Sequence, residues 1–188
     1  MQLISSMNSP RDFGFTLIEL LIALSIFAFL ILLAGPMYAD FMGNSQIRNA
    51  AENTLAGVRL AQAQAVQGNT QAQFVLDTSA AGGWQVTRLD DESGTFLPVQ
   101  SYKWVNGASR TTVTSTPGAA TEITFNGLGR LTDNADASAK IQWIEVTNTN
   151  ISSPRVLRVV VDPVTSTGIK LCDVAVTDAS DPRWCPPT

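Results

Sequence analysis

An α+β fold, with a long N-terminal helix packed on a C-terminal antiparallel β-rich head, is predicted by three features of the sequence. Twenty consecutive residues, Leu20 to Ala39, carry no charge, about the number needed to cross a ~30 Å hydrocarbon core as a helix. Beyond them, apolar residues recur at Ile47, Ala51, Leu55, Val58, Ala61 and Ala65, the period of a helix with one buried face. After Gly68 the period falls to two and turn residues multiply, as in a run of short strands.

Composition bounds what such a chain can do. It has 188 residues, 12 Lys+Arg against 16 Asp+Glu, a net charge of −4 and no His. That length buries a sizeable core without help from cross-links. The lack of His excludes Ser-His-Asp and Cys-His nucleophilic catalysis, His-ligated metals and imidazole bases. The mildly acidic balance lacks the basic excess of a dedicated nucleic-acid binder.

The elements follow in order. Residues 1–13 form a short polar leader whose only charges are Arg11 and Asp12. The uncharged run has the composition of a secretory signal, a membrane span or a buried core helix. As a signal it is too long, and Pro36 stands where the small-residue cleavage triplet belongs. Residues 40–68 are amphipathic, with Arg48, Glu52 and Arg59 set between the apolar positions, so that one face needs cover. Gly68-Asn69 supplies a C-terminal cap. A continuous helix from Phe15 to Gln67 would be roughly 80 Å long, with Gly35-Pro36 as its weak point, because proline removes a donor and its ring clashes.

Strands are predicted over residues 72–78, 84–89, 99–105, 111–115, 122–126, 140–148 and 155–162, with a short last one at 169–172, each bounded by Gly, Pro, Asn, Asp or Ser. Hairpin-length links favour an antiparallel sheet packed on the amphipathic helix. In 140–148 both alternating sets contain apolar residues, which predicts cover on both faces. Residues 106–121 are rich in Gly, Ser, Thr, Pro and Ala and read as a mobile loop. The four tryptophans, Trp84, Trp104, Trp143 and Trp184, read as core. Asp90-Asp91-Glu92 lacks the alternating ligand spacing of a calcium loop and reads as an acidic turn.

The segment GFTLIELLIALSIF, Gly14 to Phe27, resembles the N-terminal signature of type IV pilins and type II secretion pseudopilins. The match comprises Gly14, then Phe15, Glu19 four residues further on, the uncharged run, and Pro36. The resemblance implies that residues 1–14 are a prepilin leader cut off by a membrane-embedded prepilin peptidase after Gly14. Phe15 then becomes the N-methylated N-terminus. It also implies that residues 15–39 are the transmembrane half of the helix, residues 40–68 its amphipathic half, and residues 69–188 a periplasmic or extracellular head. Independently of the family, a carboxylate within an apolar span costs on the order of 2.5–3.5 kcal/mol and asks for a partner. The Phe15 amine of a neighbouring subunit would supply one, making Glu19 the residue that registers subunits.

TFNGLGRL (Thr124 to Leu131) and GIKLCD (Gly168 to Asp173) resemble the GspH/FimT group of minor pilins and pseudopilins. Cys172 and Cys185 are the only cysteines, with twelve residues between them. In a head delivered to an oxidising compartment they read as a disulfide, since two thiols without His make no metal site. DNA-uptake members of the group carry a basic pair before the first of these cysteines. Here the place reads Thr167-Gly168-Ile169-Lys170-Leu171, with Asp162, Asp173, Asp178 and Asp181 nearby. Lys170 remains the one candidate for a weak DNA contact, and DNA is not an expected partner.

These readings converge on a non-enzymatic minor type IV pilin without cofactor or metal, which helps to initiate or prime pilus assembly and links a tip complex to the major pilin. Its expected partners are prepilin peptidase, other minor pilins, the major pilin, the inner-membrane assembly platform and, before assembly, inner-membrane lipid. Its expected location is the bacterial inner membrane, single-pass with a periplasmic head, and then the filament. The alternatives are a minor pseudopilin of a type II secretion system and a DNA-binding uptake pilin.

Overall fold

The computed structural model describes residues 14–79, 81–118, 120–161 and 168–186. The expected leader at 1–13, the end of one expected strand at Asp162, and Thr167 before the cysteine segment lie outside them.

Helix α1 spans Leu17–Gly68 and joins the uncharged run and the amphipathic stretch in one element, without a break across Gly35 and Pro36. Among the described residues it is the one helix long and apolar enough to cross a membrane. The chain divides into two compact units between Tyr38 and Ala39, and α1 contributes to both. In the first unit every side chain described is exposed, from Phe15 at 85% to Ile22 at 54%. The second unit buries the other half of the helix along the predicted stripe: Ile47, Ala51, Val58, Ala61 and Ala65 are fully buried, with Ala50 and Thr54 widening the band.

The end of α1 is a left-handed cap. Asn69 takes φ +47°, its N–H donates to Val66 O, and the N–H of Thr70 donates to Ala65 O. These are the paired bonds of a Schellman ending. Gly68 stays helical, and Asn, the residue most tolerant of this conformation after Gly, takes the turn.

Nine strands follow: β1 (Ala72–Asp77), β2 (Gly83–Asp90), β3 (Thr95–Lys103), β4 (Thr112–Thr116), β5 (Glu122–Phe125), β6 (Leu131–Thr132), β7 (Trp143–Thr147), β8 (Leu157–Val161) and β9 (Ile169–Asp173). They form two antiparallel sheets, β3-β2-β1-β5-β6 (sheet A) and β4-β7-β8-β9 (sheet B). One core cluster joins the helix stripe to Phe74, Leu76, Trp84, Val86, Ile123 and Phe125 of sheet A and to Val113, Ile144, Val146, Leu157 and Val159 of sheet B. Gly57 marks a close approach, since a Cβ there would lie 2.9 Å from the Phe74 and Trp84 rings. A clasp ties the start of the buried helix to the link between β7 and β8. Asp40 Oδ1 accepts the Ser152 N–H, Asn44 Oδ1 accepts the Arg155 N–H, and Asn44 Nδ2 donates to Ser153 O.

Several expectations are corrected. The single sheet is two, because β4 leaves sheet A to pair with β7 and β5 returns to pair with β1. Trp104 begins a short 3-10 turn, Trp104–Asn106, instead of ending a strand. The segment read as a loop, 106–121, contains β4 and buries Ala108 and Ala120. Residues 140–142 do not continue β7: Ile141 N–H donates to Glu122 O of sheet A, and Gln142 N–H to Thr116 O of sheet B. β7 buries only Ile144 and Val146. Its other face is half covered by Arg158, whose guanidinium stands 5.0 Å from the Trp143 ring centroid. Of the four tryptophans, only Trp84 and Trp104 are buried.

Candidate functional site

The candidate site is the start of α1. Gly14 is exposed and, its chain neighbours aside, no atom of the described residues lies within 4 Å of where its Cβ would be. Thr16 caps the helix: its Oγ1 accepts the Glu19 N–H at 3.3 Å, and its carbonyl accepts the Leu20 N–H. Sequence reasoning passed over Thr16. The signal was present in Thr16-Leu17-Ile18-Glu19, the spacing of a capping box, in which the acid three residues after the cap folds back onto the cap's own N–H. Among the described residues only the threonine half of that exchange is made, and the Glu19 carboxylate has no ion-pair partner. From there to Leu33 the helix exposes Leu, Ile and Phe at 54–81%. The arrangement offers a carboxylate at the positive end of a helix dipole, on a rod of apolar side chains that needs other apolar surface around it.

Among the described residues, nothing outside its own stretch of helix lies within 4 Å of the Cβ direction of Gly35. Cys172 and Cys185 are joined in a disulfide, at the end of β9 and in the C-terminal tail. Asp173, next to Cys172, organises that tail. Its carboxylate, nearly buried, accepts from Arg155 and from the Ala175 N–H, and its backbone N–H donates to Arg183 O. Three hydrogen bonds from Arg183, two from its guanidinium and one from its backbone N–H, together with its charge, hold the half-buried Asp181 carboxyl down to about 2.

The basic residues are mostly engaged. Arg155 pairs with Asp173, Arg158 with Glu145, Arg183 with Asp181 and Lys140 with Asp133. Lys170 lies over the Trp184 ring, 5.9 Å from its centroid. The Asp90–Glu92 turn closes on itself, with Ser93 N–H donating to Asp90 Oδ2 and Gly94 N–H to Asp90 O. Among the described residues no group of three or more Cys, Asp or Glu is placed to hold a metal ion.

Two family models match the chain. Residues 9–35 match the prokaryotic N-terminal methylation motif, and residues 50–165 match the family described as type II transport protein GspH. No curated protein matches. Among solved structures, the chain is similar to the type IV minor pilin FimU of Pseudomonas aeruginosa strain PAO1 in two crystal forms. In space group P21 the identity is 16%, the coverage 70% of this chain and 91% of that one, and the TM-score 0.46. In P65 the identity is 16%, the coverage 66% and 90%, and the TM-score 0.43.

Proposed function

The chain belongs to the GspH family of type II transport proteins, pilin-like structural subunits that assemble with others of their kind and are not enzymes; on that premise we propose that it works as a minor type IV pilin. Prepilin peptidase removes residues 1–14 and the Phe15 amine is methylated. The subunit waits in the inner membrane, with α1 spanning the lipid and its head in the periplasm, until the assembly platform moves it into a filament. There it helps to prime assembly and joins a tip complex to the major pilin below.

One observation carries this reading: Glu19, a carboxylate with no ion-pair partner within the described chain, at the head of an uncovered apolar helix. In lipid or among packed helices an unpaired carboxylate is costly, about 2.5–3.5 kcal/mol on insertion scales. The Phe15 amine of a neighbouring subunit relieves that cost only when the two helices are in register. Retention of the acid therefore argues for a position below another subunit, where such an amine is on offer. The test is Glu19→Gln. Cleavage after Gly14 should be unchanged and incorporation into filaments should fall. Normal incorporation of the variant rejects the adaptor position, and a mature protein that does not begin at Phe15 rejects the processing scheme.

The family description favours a second reading, a minor pseudopilin of a type II secretion system. Deleting the gene separates the two, because loss of surface pili supports the first and loss of exported enzymes with pili intact supports the second. The ion pairs of Arg155, Arg158, Arg183 and Lys140 and the stacking of Lys170 weigh against DNA uptake, since few of these cations remain for phosphates.

A further inference from the structure

On the minor-pilin reading, in which unlike subunits stand beside this one, we propose that the Asn126–Arg130 turn docks into the head of a different pilin. The partner presents an apolar pocket edged by carboxylates.

The turn joins β5 to β6 and is rigid for three reasons. Asn126 Oδ1 accepts the N–H groups of both Leu128 and Arg130 at 3.0 and 3.1 Å. The Asn126 N–H donates to Arg130 O, and the Gly129 N–H to Asn126 O. The loop is also pressed onto the last turns of α1, where Gln62 Nε2 donates to Gly129 O at 2.9 Å, and a Cβ at Gly129, whose φ is +73°, would lie 2.9 Å from Val66. A turn already fixed in this way loses little conformational entropy when it docks. It nevertheless holds Leu128 out at 75% exposure, the largest value for a big apolar residue of the second unit among those described. Val66 beside it is 52% exposed.

The charge around this apolar knob is one-sided. Arg130, two residues on from Leu128, is exposed and has no ion pair among the described residues. Arg59 stands seven residues before Val66, two turns back along the same face of α1. It too is exposed without an ion pair among the described residues, and its guanidinium makes only a long hydrogen bond, 3.5 Å, to Ile169 O. The acids at this end of the helix are occupied elsewhere: Asp90 lies near Arg88 and accepts from the Ser93 N–H, and Asp91 accepts from Thr70 Oγ1. Two free guanidiniums beside an exposed isobutyl group call for carboxylates around apolar surface, since the arginine fork pairs best with a carboxylate or phosphate and leucine with neither. Nucleic acid would meet the arginines and leave Leu128 without apolar cover, so a protein surface is the better complement.

A second copy is a poor match. Glu52, Asp133, Glu145, Asp173 and Asp181 are already paired within the chain, and the hollow beside Asp77 also holds Lys103. The partner is therefore a different chain, as an adaptor between unlike neighbours requires.

The test uses the full chain in its native envelope, with the photo-cross-linker benzoylphenylalanine in place of Leu128. Illumination should join it to the head of one other pilin, recognised by peptide mass spectrometry from its own N-terminal methylation motif, with carboxylates near the joined residue. Arg130→Glu should lower the yield about tenfold, the size of one close charge pair, and an arginine in place of the partner's nearest carboxylate should restore it. Leu128 and Arg130 are both exposed, so neither change threatens the fold. An adduct with a second copy, with a protein that is not a pilin, or with nothing overturns the proposal, as do a band that nuclease removes and failure of the charge exchange to rescue. A chain with the same cross-linker in place of Ile18, beside Glu19, is scored in matched cells. If that end joins another pilin while position 128 does not, this contact fails and the minor-pilin reading stands. If neither end joins, both fall.

Discussion

Glu122 sits on the face of sheet A turned away from α1, where Gln73 Nε2 and Thr124 Oγ1 donate to its carboxylate and Asn134 Nδ2 donates to its backbone oxygen. Burial pushes its carboxyl up from the ordinary value of 4.5 further than those hydrogen bonds pull it down. The folded state therefore holds the proton more tightly than the unfolded state. The stabilisation this brings is fully present below the ordinary value and is lost as pH rises through the folded one. At neutral pH Glu122 is a net burden. Glu122→Gln keeps an acceptor for both donors and removes the charge, so it should melt above the wild type at pH 7, with the gap closing toward pH 4. Melting curves across that range check it, and a gap that does not change with pH refutes the assignment. Nothing in the sequence marked Glu122, because the loop bearing Asn134 reaches it only after β5 and β6 have paired.

Strand β3 shows how an element can be read correctly and its surroundings missed. Its alternation predicts a strand, but almost all its residues are exposed, because it is the edge of sheet A and lies beyond the cover of the helix. Such edges invite pairing with other chains. Here Pro98 removes a donor in mid-strand, and the register slips beside it, between Val86 and Thr87, leaving Val99 as the extra residue of a bulge. Pro98→Val should restore a flat, donating edge and raise self-association of the purified protein, seen as concentration-dependent light scattering. No increase would mean that the bulge alone guards the edge. The same limit explains the other misreadings. β6 has only two residues, too few for alternation to register. β4 changed sheets because Thr112–Thr116 found its partner in β7, a choice made by tertiary pairing. Trp143 and Trp184 lie outside the core because Arg158 and Lys170 cover them in place of apolar neighbours. By contrast the helix stripe and the two cysteines were legible, since a period of 3.6 and a unique pair of thiols are local properties.

Across the whole molecule, stability depends on two fastenings outside the apolar core, one covalent and one made of hydrogen bonds. The Cys172–Cys185 bridge closes a short loop, and in the chain-entropy picture such a closure contributes about 3 kcal/mol. Cys172→Ser should lower the urea midpoint by a corresponding amount and speed proteolysis in the 174–186 tail while α1 keeps its helicity. Peptide mapping of unreduced protein from the envelope should find the two cysteines joined, and free thiols there would remove the premise. The second fastening, the clasp made by Asp40 and Asn44, bears on any soluble version of the head. A truncation that begins at Gln46 keeps the apolar stripe intact and looks economical. It discards both acceptors, however, and strands the backbone donors of Ser152 and Arg155 at the base of sheet B. A fragment starting at Ala39 retains them for seven additional residues, and it should be the one that crystallises, resists trypsin and melts several degrees higher.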